Sequence, residues 1–173
     1  MGGAMAISHK VCLLGDFAVG KTSLVRRFVY DRFDDRYIST IGVKVSRKPI
    51  VVPGAEGPVD LQLMLWDLAG SEEFDALRAS YLRGAAGAIL VCDLLRSETV
   101  DSLMTYRAQL GEASPDARVV IAANKIDLAP DARVQALVTV VAETLGAPLT
   151  YTSARDGTGV ESLFRTLGVL LVS

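Results

Sequence analysis

Histidine is almost missing from this chain, cysteine occurs twice, and the two never cluster. His9 stands alone ahead of the first apolar run, so a His/Cys metal centre has nothing to be built from. Cys12 and Cys92 lie inside apolar runs with no Cys-x-x-Cys spacing, and read as small core hydrophobes in a reducing compartment. An excess of one charge is missing too. Lys plus Arg (18) against Asp plus Glu (20) leaves −2, which gives no pull toward nucleic acid or an anionic membrane. No apolar run approaches the roughly 20 residues of a membrane-spanning helix. Gly2 is followed by Ala6 where a myristoylation signal needs Ser or Thr, and Leu170-Leu171-Val172-Ser173 holds no cysteine to prenylate. The expectation is a cytoplasmic protein with no lipid anchor in this chain. Repeats, low-complexity tracts and linkers are also lacking, so residues 1–173 are expected to form one domain, with 1–8 a loose N-terminal tail.

What the chain does have is the stretch Gly15-Asp16-Phe17-Ala18-Val19-Gly20-Lys21-Thr22-Ser23. Val11, Cys12, Leu13 and Leu14 lead into it as a strand, and Leu24, Val25 and Phe28 continue at helical spacing from Thr22 to Tyr30. A glycine-rich loop between strand and helix aims backbone N–H groups and a positive helix terminus at one point, which suits a phosphate chain. Gly15 and Gly20 supply the turn's conformational freedom, Ala18, Val19 and Ser23 line it, Lys21 reaches the outer phosphates and the Thr22 hydroxyl holds Mg²⁺.

Strand-like and helix-like segments alternate to the end, which predicts an α/β domain with a mostly parallel sheet and helices on both faces. Ile41 to Val52 and Val59 to Trp66 read as an antiparallel hairpin across Pro53-Gly54-Ala55-Glu56-Gly57-Pro58, giving one antiparallel edge. Ala85–Leu95 and Arg118–Ala123 are apolar runs buried on both faces. Helices are predicted from Ser97 to near Gly111, from Pro130 to Leu145 and from Gly159 to Val172, with a short strand at Leu149–Thr152.

Two strand ends carry polar residues. Trp66-Asp67-Leu68-Ala69-Gly70 puts a carboxylate where ligands of open α/β sheets gather, so Asp67 can support the Mg²⁺ held by Thr22 and the Gly70 N–H can reach a terminal phosphate. Asp67 could also cap a helix at Ser71 or Glu72. Asn124-Lys125-Ile126-Asp127 offers a carboxylate able to accept two hydrogen bonds from guanine, a pattern adenine cannot provide. Thr152-Ser153-Ala154 ends the last strand, where backbone N–H groups could meet the base oxygen or simply turn the chain.

The ordered set GDFAVGKT, YISTIG, WDLAG, NKID and TSA spans nearly the whole chain and resembles the Ras-like small GTPases; YISTIGV and YLRGAAGAILVCDL look most like the Rab branch. The resemblance implies a P-loop NTPase fold, a six-stranded sheet with about five helices, GTP and GDP as ligands, Mg²⁺, and switch segments near 31–45 and 67–80 that meet protein effectors and regulators. By position, Phe33 would pack on the guanine ring, although it could equally be a core anchor. Thr40 would close on Mg²⁺ and the γ-phosphate, Asn124 and Asp127 would hold the base, Lys125 would lie along loop and ring, and Ser153 with Ala154 would complete the pocket. The catalytic set is then Lys21, Thr40 and Ser71.

Ser71 stands where the family usually has a water-orienting glutamine, and its hydroxyl is too short to span the same distance. Phe17 occupies a position that most relatives keep small, near the γ-phosphate and any inserted arginine. Slow intrinsic hydrolysis is the expectation, with a mostly GTP-bound adaptor as the alternative. Lys44 and Val45 replace the acidic and aromatic residues typical of the Rab branch, so Rab effectors are not assumed. These departures favour a soluble relative, prokaryotic or part of a longer chain. A phosphate-loop kinase or ATPase is disfavoured by NKID and by the lack of an arginine-bearing lid segment.

Overall fold

The computed structural model describes residues 6–34, 42–70 and 75–173. Strands and helices alternate as β1 (Ile7–Leu14), α1 (Lys21–Tyr30), β2 (Val43–Gly54), β3 (Gly57–Leu68), α2 (Asp75–Leu82), β4 (Gly87–Asp93), α3 (Ser97–Ala113), β5 (Arg118–Asn124), α4 (Ala132–Leu145), β6 (Leu149–Thr152) and α5 (Val160–Val172). They build one six-stranded sheet in the order β2-β3-β1-β4-β5-β6. Among the described strands only β2 and β3 run antiparallel; the other pairings are parallel.

Period-two alternation divides the core between the faces of this sheet. On one face, Cys12, Leu14, Leu90 and Cys92 pack with Val100, Leu103 and Leu110 of α3 and with Val138 of α4. On the other, Val11, Leu13, Ile89 and Val91 meet Leu24, Val25 and Phe28 of α1 and Leu163, Phe164 and Leu167 of α5. Phe28 and Phe164 stack at 3.8 Å between centroids, fastening the two helices to each other. β1 is therefore central and covered on both sides. Its C-terminal end lies between the ends of β3 and β4, the place where open α/β sheets bind ligands.

Several boundaries differ from the sequence reading. Ile7 and Ser8, expected in the loose tail, belong to β1 opposite Leu61 and Gln62, and His9 lies inside that strand opposite Leu63 rather than ahead of it. Ile7 and Ser8 are exposed and His9 is only half-buried, so no continuous apolar run marks this part of the strand. The six-residue hairpin connection shrinks to Ala55 and Glu56, because Pro53 and Gly54 pair with Pro58 and Gly57. α4 begins at Ala132, where the Asp131 carboxylate accepts the Arg133 N–H at 2.7 Å as an N-cap; Pro130 stands outside it.

Candidate functional site

The glycine-rich loop runs from the end of β1 into α1. Gly20 has φ of +106°, and a side chain there would collide with the Asn124 amide, so only glycine closes this turn. Gly15 is fixed by proximity instead, since a Cβ would overlap the Val91 carbonyl of β4. α1 has no acidic residue in its first turn and no side-chain hydrogen bond at its N-cap, which leaves its positive end facing the loop.

Lys21 folds back across the loop and donates to the Gly15 carbonyl at 2.7 Å and the Asp16 carbonyl at 3.0 Å. Burial pushes its ammonium down to about 8, against the opposing pull of Asp67 and Asp16. The Thr22 hydroxyl donates to Asp67 Oδ2 at 2.6 Å, joining α1 to the end of β3. A Cβ on Gly70 would meet Phe17 N at 2.7 Å and Gly15 O at 3.0 Å, so the backbone beyond Asp67 lies directly against the loop. Hydroxyl and carboxylate oxygens side by side are the donor set of a hard divalent cation, and the residues fit Mg²⁺.

The second polar strand end is tied to the first. Asn124 is buried; its Nδ2 donates to the Val19 carbonyl at 2.9 Å, while its Oδ1 accepts Thr152 Oγ1 at 3.1 Å and Ala154 N–H at 3.4 Å. It thus joins the phosphate loop, β5 and the loop after β6. Lys125, in a left-handed conformation, lies along the loop and donates to the Ala18 carbonyl at 3.1 Å. Asp127 is exposed on a short 3₁₀ turn spanning Ile126–Leu128. Ser153 is buried within its own loop: its N–H reaches the Thr158 carbonyl at 2.9 Å and its hydroxyl accepts the Asp156 N–H at 3.1 Å. Arg27 of α1 braces that loop, donating through Nε to the Ala154 carbonyl at 2.9 Å and through Nη2 to the Arg155 carbonyl.

The predicted residues Gly15, Ala18, Val19, Gly20, Lys21, Thr22, Ser23, Asp67, Gly70, Asn124, Lys125 and Ala154 thus converge on one sheet edge. Phe33 lies partly exposed beyond the end of α1. Thr40, Tyr37 and Ser71 lie outside the described residues.

Four residues that the sequence reading passed over also belong to the site's frame. Asp16 accepts Ser102 Oγ at 2.6 Å and the Tyr106 hydroxyl at 2.8 Å, so α3 holds the loop by a side chain. Asp93 closes β4 as a buried carboxylate bound to Lys125 at 2.7 Å. The signal for Asp93 was the one used for Asp67 and Asn124, a polar residue ending a buried strand. Ser102 and Tyr106 gave none, being ordinary helix residues until the fold brings them to the loop.

A phosphate loop at the topological switch point, a Thr–Asp pair for a divalent cation and an Asn-Lys-x-Asp segment tied back to the loop define a phosphate-loop nucleotide-binding protein. Comparison with known proteins narrows this. The Ras family model matches residues 10–172. Ras-related protein Rab-31 of Rattus norvegicus is 39% identical over 165 residues, covering 93% of this chain and 82% of its own. SEC4 of Saccharomyces cerevisiae is 33% identical over 94% of this chain and 74% of its own, and human Rab-like protein 2A is 37% identical over 95% and 69%. The chain belongs to the Ras family of small GTPases, within its Rab branch.

Proposed function

We propose that this chain is a guanine-nucleotide switch that binds Mg²⁺ with GTP or GDP and hydrolyses GTP very slowly on its own. The observation that carries the reading is the fastening of the Asn124-Lys125 segment to the carbonyls of Val19 and Ala18, which makes base and phosphate sites one rigid unit. In this reading the Asp127 carboxylate takes the guanine edge, Phe33 covers the ring, and Ala154 offers backbone to the base oxygen. Lys21 meets the outer phosphates, and Thr22, Asp67 and Thr40 hold Mg²⁺, whose charge would offset that of the phosphates. Family membership supports protein effectors and regulators acting through segments 31–45 and 67–80. Lys44 and Val45, both exposed on the edge strand β2, support effectors unlike those of other Rab-branch proteins. The two buried free thiols support a reducing, cytoplasmic setting.

Slow turnover is argued from two side chains. Ser71 is too short to orient water as glutamine does. Phe17 is 51% exposed at the loop's apex, a bulky ring beside the path to the terminal phosphate. The same two residues favour the second reading, an adaptor that stays mostly GTP-bound. Ras itself, a reference and not a value read from this chain, turns over at roughly 10⁻⁴ s⁻¹ with glutamine present. Single-turnover hydrolysis slower than that is expected, and the double substitution Ser71→Gln with Phe17→Gly is expected to speed it. An unsubstituted chain as fast as Ras would overturn the slow-turnover reading. The nucleotide released by denaturing the purified protein decides between the readings: GDP favours the cycling switch, GTP the adaptor, and an adenine nucleotide overturns both.

A further inference from the structure

Ala18 has φ of +62°, a left-handed conformation that a non-glycine residue keeps only when its surroundings hold it there. The restraints are visible on both sides. Lys125 Nζ holds the Ala18 carbonyl at 3.1 Å, and Arg96 Nη2 holds the preceding Phe17 carbonyl at 2.7 Å. Both cations are anchored on the buried Asp93 carboxylate, Lys125 at 2.7 Å and Arg96 Nε at 3.0 Å, and that carboxylate also accepts the Leu95 N–H at 2.9 Å. Burial alone would raise the Asp93 carboxyl; the bonds from Lys125, Leu95 and Arg96 outweigh it and hold the group below its ordinary value. The anchor is therefore charged at neutral pH and keeps both arms in place.

Unlike Lys125, Arg96 belongs to none of the nucleotide motifs. It is the extended residue ahead of α3. In a trans peptide the carbonyl and the next N–H point in opposite directions, so fixing the Phe17 carbonyl fixes where the Ala18 N–H points.

We propose that Arg96, braced by Asp93, is a positioning residue that aims the Ala18 N–H at the phosphates of the bound nucleotide and so slows nucleotide release. The inference rests on the guanine-nucleotide reading above. Neither Arg96 nor Asp93 need touch the ligand.

The test uses the full chain loaded with GDP, comparing Arg96→Ala and Arg96→Lys with the unsubstituted protein by dissociation of a fluorescent GDP and by the Ala18 amide signal in ¹H–¹⁵N NMR. Arg96→Ala is expected to release GDP about tenfold faster, the size of one lost charge-assisted bond. Its Ala18 amide proton is expected to lose the downfield shift of a phosphate-bonded N–H. Arg96→Lys, which keeps a cationic donor, is expected to fall between, and gives the same two readouts if the alanine variant does not fold. Unchanged release overturns the role, and so does faster release with an unmoved Ala18 amide, because Arg96 would then only stiffen the fold. Failure of the unsubstituted chain to hold GDP would overturn the functional reading itself, and with it this role.

Discussion

Lys21 sits where an ammonium ion is poorly solvated, and this gives the protein a pH signature. The folded chain releases that proton near pH 8, the unfolded chain near 10.5. Between these values the unfolded state binds more protons, so stability rises with pH. Cys12 and Cys92 act oppositely. Burial pushes them up to about 11 and about 12 from 9.0, so above pH 9 the unfolded chain ionises first and stability falls. Nucleotide-free protein is therefore expected to gain a little stability, less than about 1 kcal/mol, between about pH 7.5 and 8.5 and to lose it past about pH 9. Urea unfolding across that range checks the profile, and Lys21→Met should abolish the rise; a rise that persists in the variant would assign it elsewhere.

At this same scale the sequence was informative wherever chemistry demands a residue type at a fixed spacing. Thr22 donates to Asp67 and Lys21 folds back onto the Gly15 carbonyl, all at the sheet edge where the spacing put them. Asn124 was read as a base contact, yet its amide also ties the phosphate loop to the end of β6 and the loop beyond it, a role that letters in a motif cannot express. Asp16, Ser102 and Tyr106 escaped because their partnership spans residues far apart in sequence, and only folding brings them within hydrogen-bonding distance.

Helices were legible where their buried side chains are apolar. Val160, Leu163, Phe164 and Leu167 of α5 are buried as their spacing predicts. α2 was not placed from sequence, and the reason is physical. Its buried positions among the described side chains are Leu82 and Arg78, the latter lying 5.1 Å from the Tyr106 ring centroid, and a search for apolar periodicity passes over an arginine. The seating of α5 on β2 yields an element-scale test. A Cβ on Gly168 would stand 2.8 Å from Ile50 Cδ1, a flexible end able to yield, and 2.8 Å from Val52 Cγ1, which the stiff χ1 of a buried β-branched residue holds in place. Gly168→Ala should cost less than about 1 kcal/mol, because a helix gain of up to about 1 kcal/mol offsets most of the strain at Val52. Gly168→Leu should cost about 1–3 kcal/mol by forcing α5 off the sheet. Urea midpoints distinguish the two, and equal midpoints would mean that the contact is looser than described.

For the molecule as a whole, ligand and fold are linked. A nucleotide that binds only the folded chain adds about 2.7 kcal/mol at a hundred times its Kd. For a domain of this size that corresponds to a rise in Tm of roughly 5–10 °C. Mg²⁺ with GDP should produce it, EDTA should reduce it, and ATP at equal concentration should leave Tm unmoved. A matching shift with ATP would remove guanine selectivity from the account.

The sheet order leaves β2 as one outer strand, twelve residues long, and β6, with four, as the other. An open strand of that length invites a neighbouring chain to continue the ladder. Along β2, however, Pro49 and Pro53 stand four residues apart, so both lack an N–H on the same side, and Lys44, Arg47 and Lys48 add like charge between neighbouring copies. The prolines and cations of β2 therefore also protect the protein from edge-to-edge aggregation.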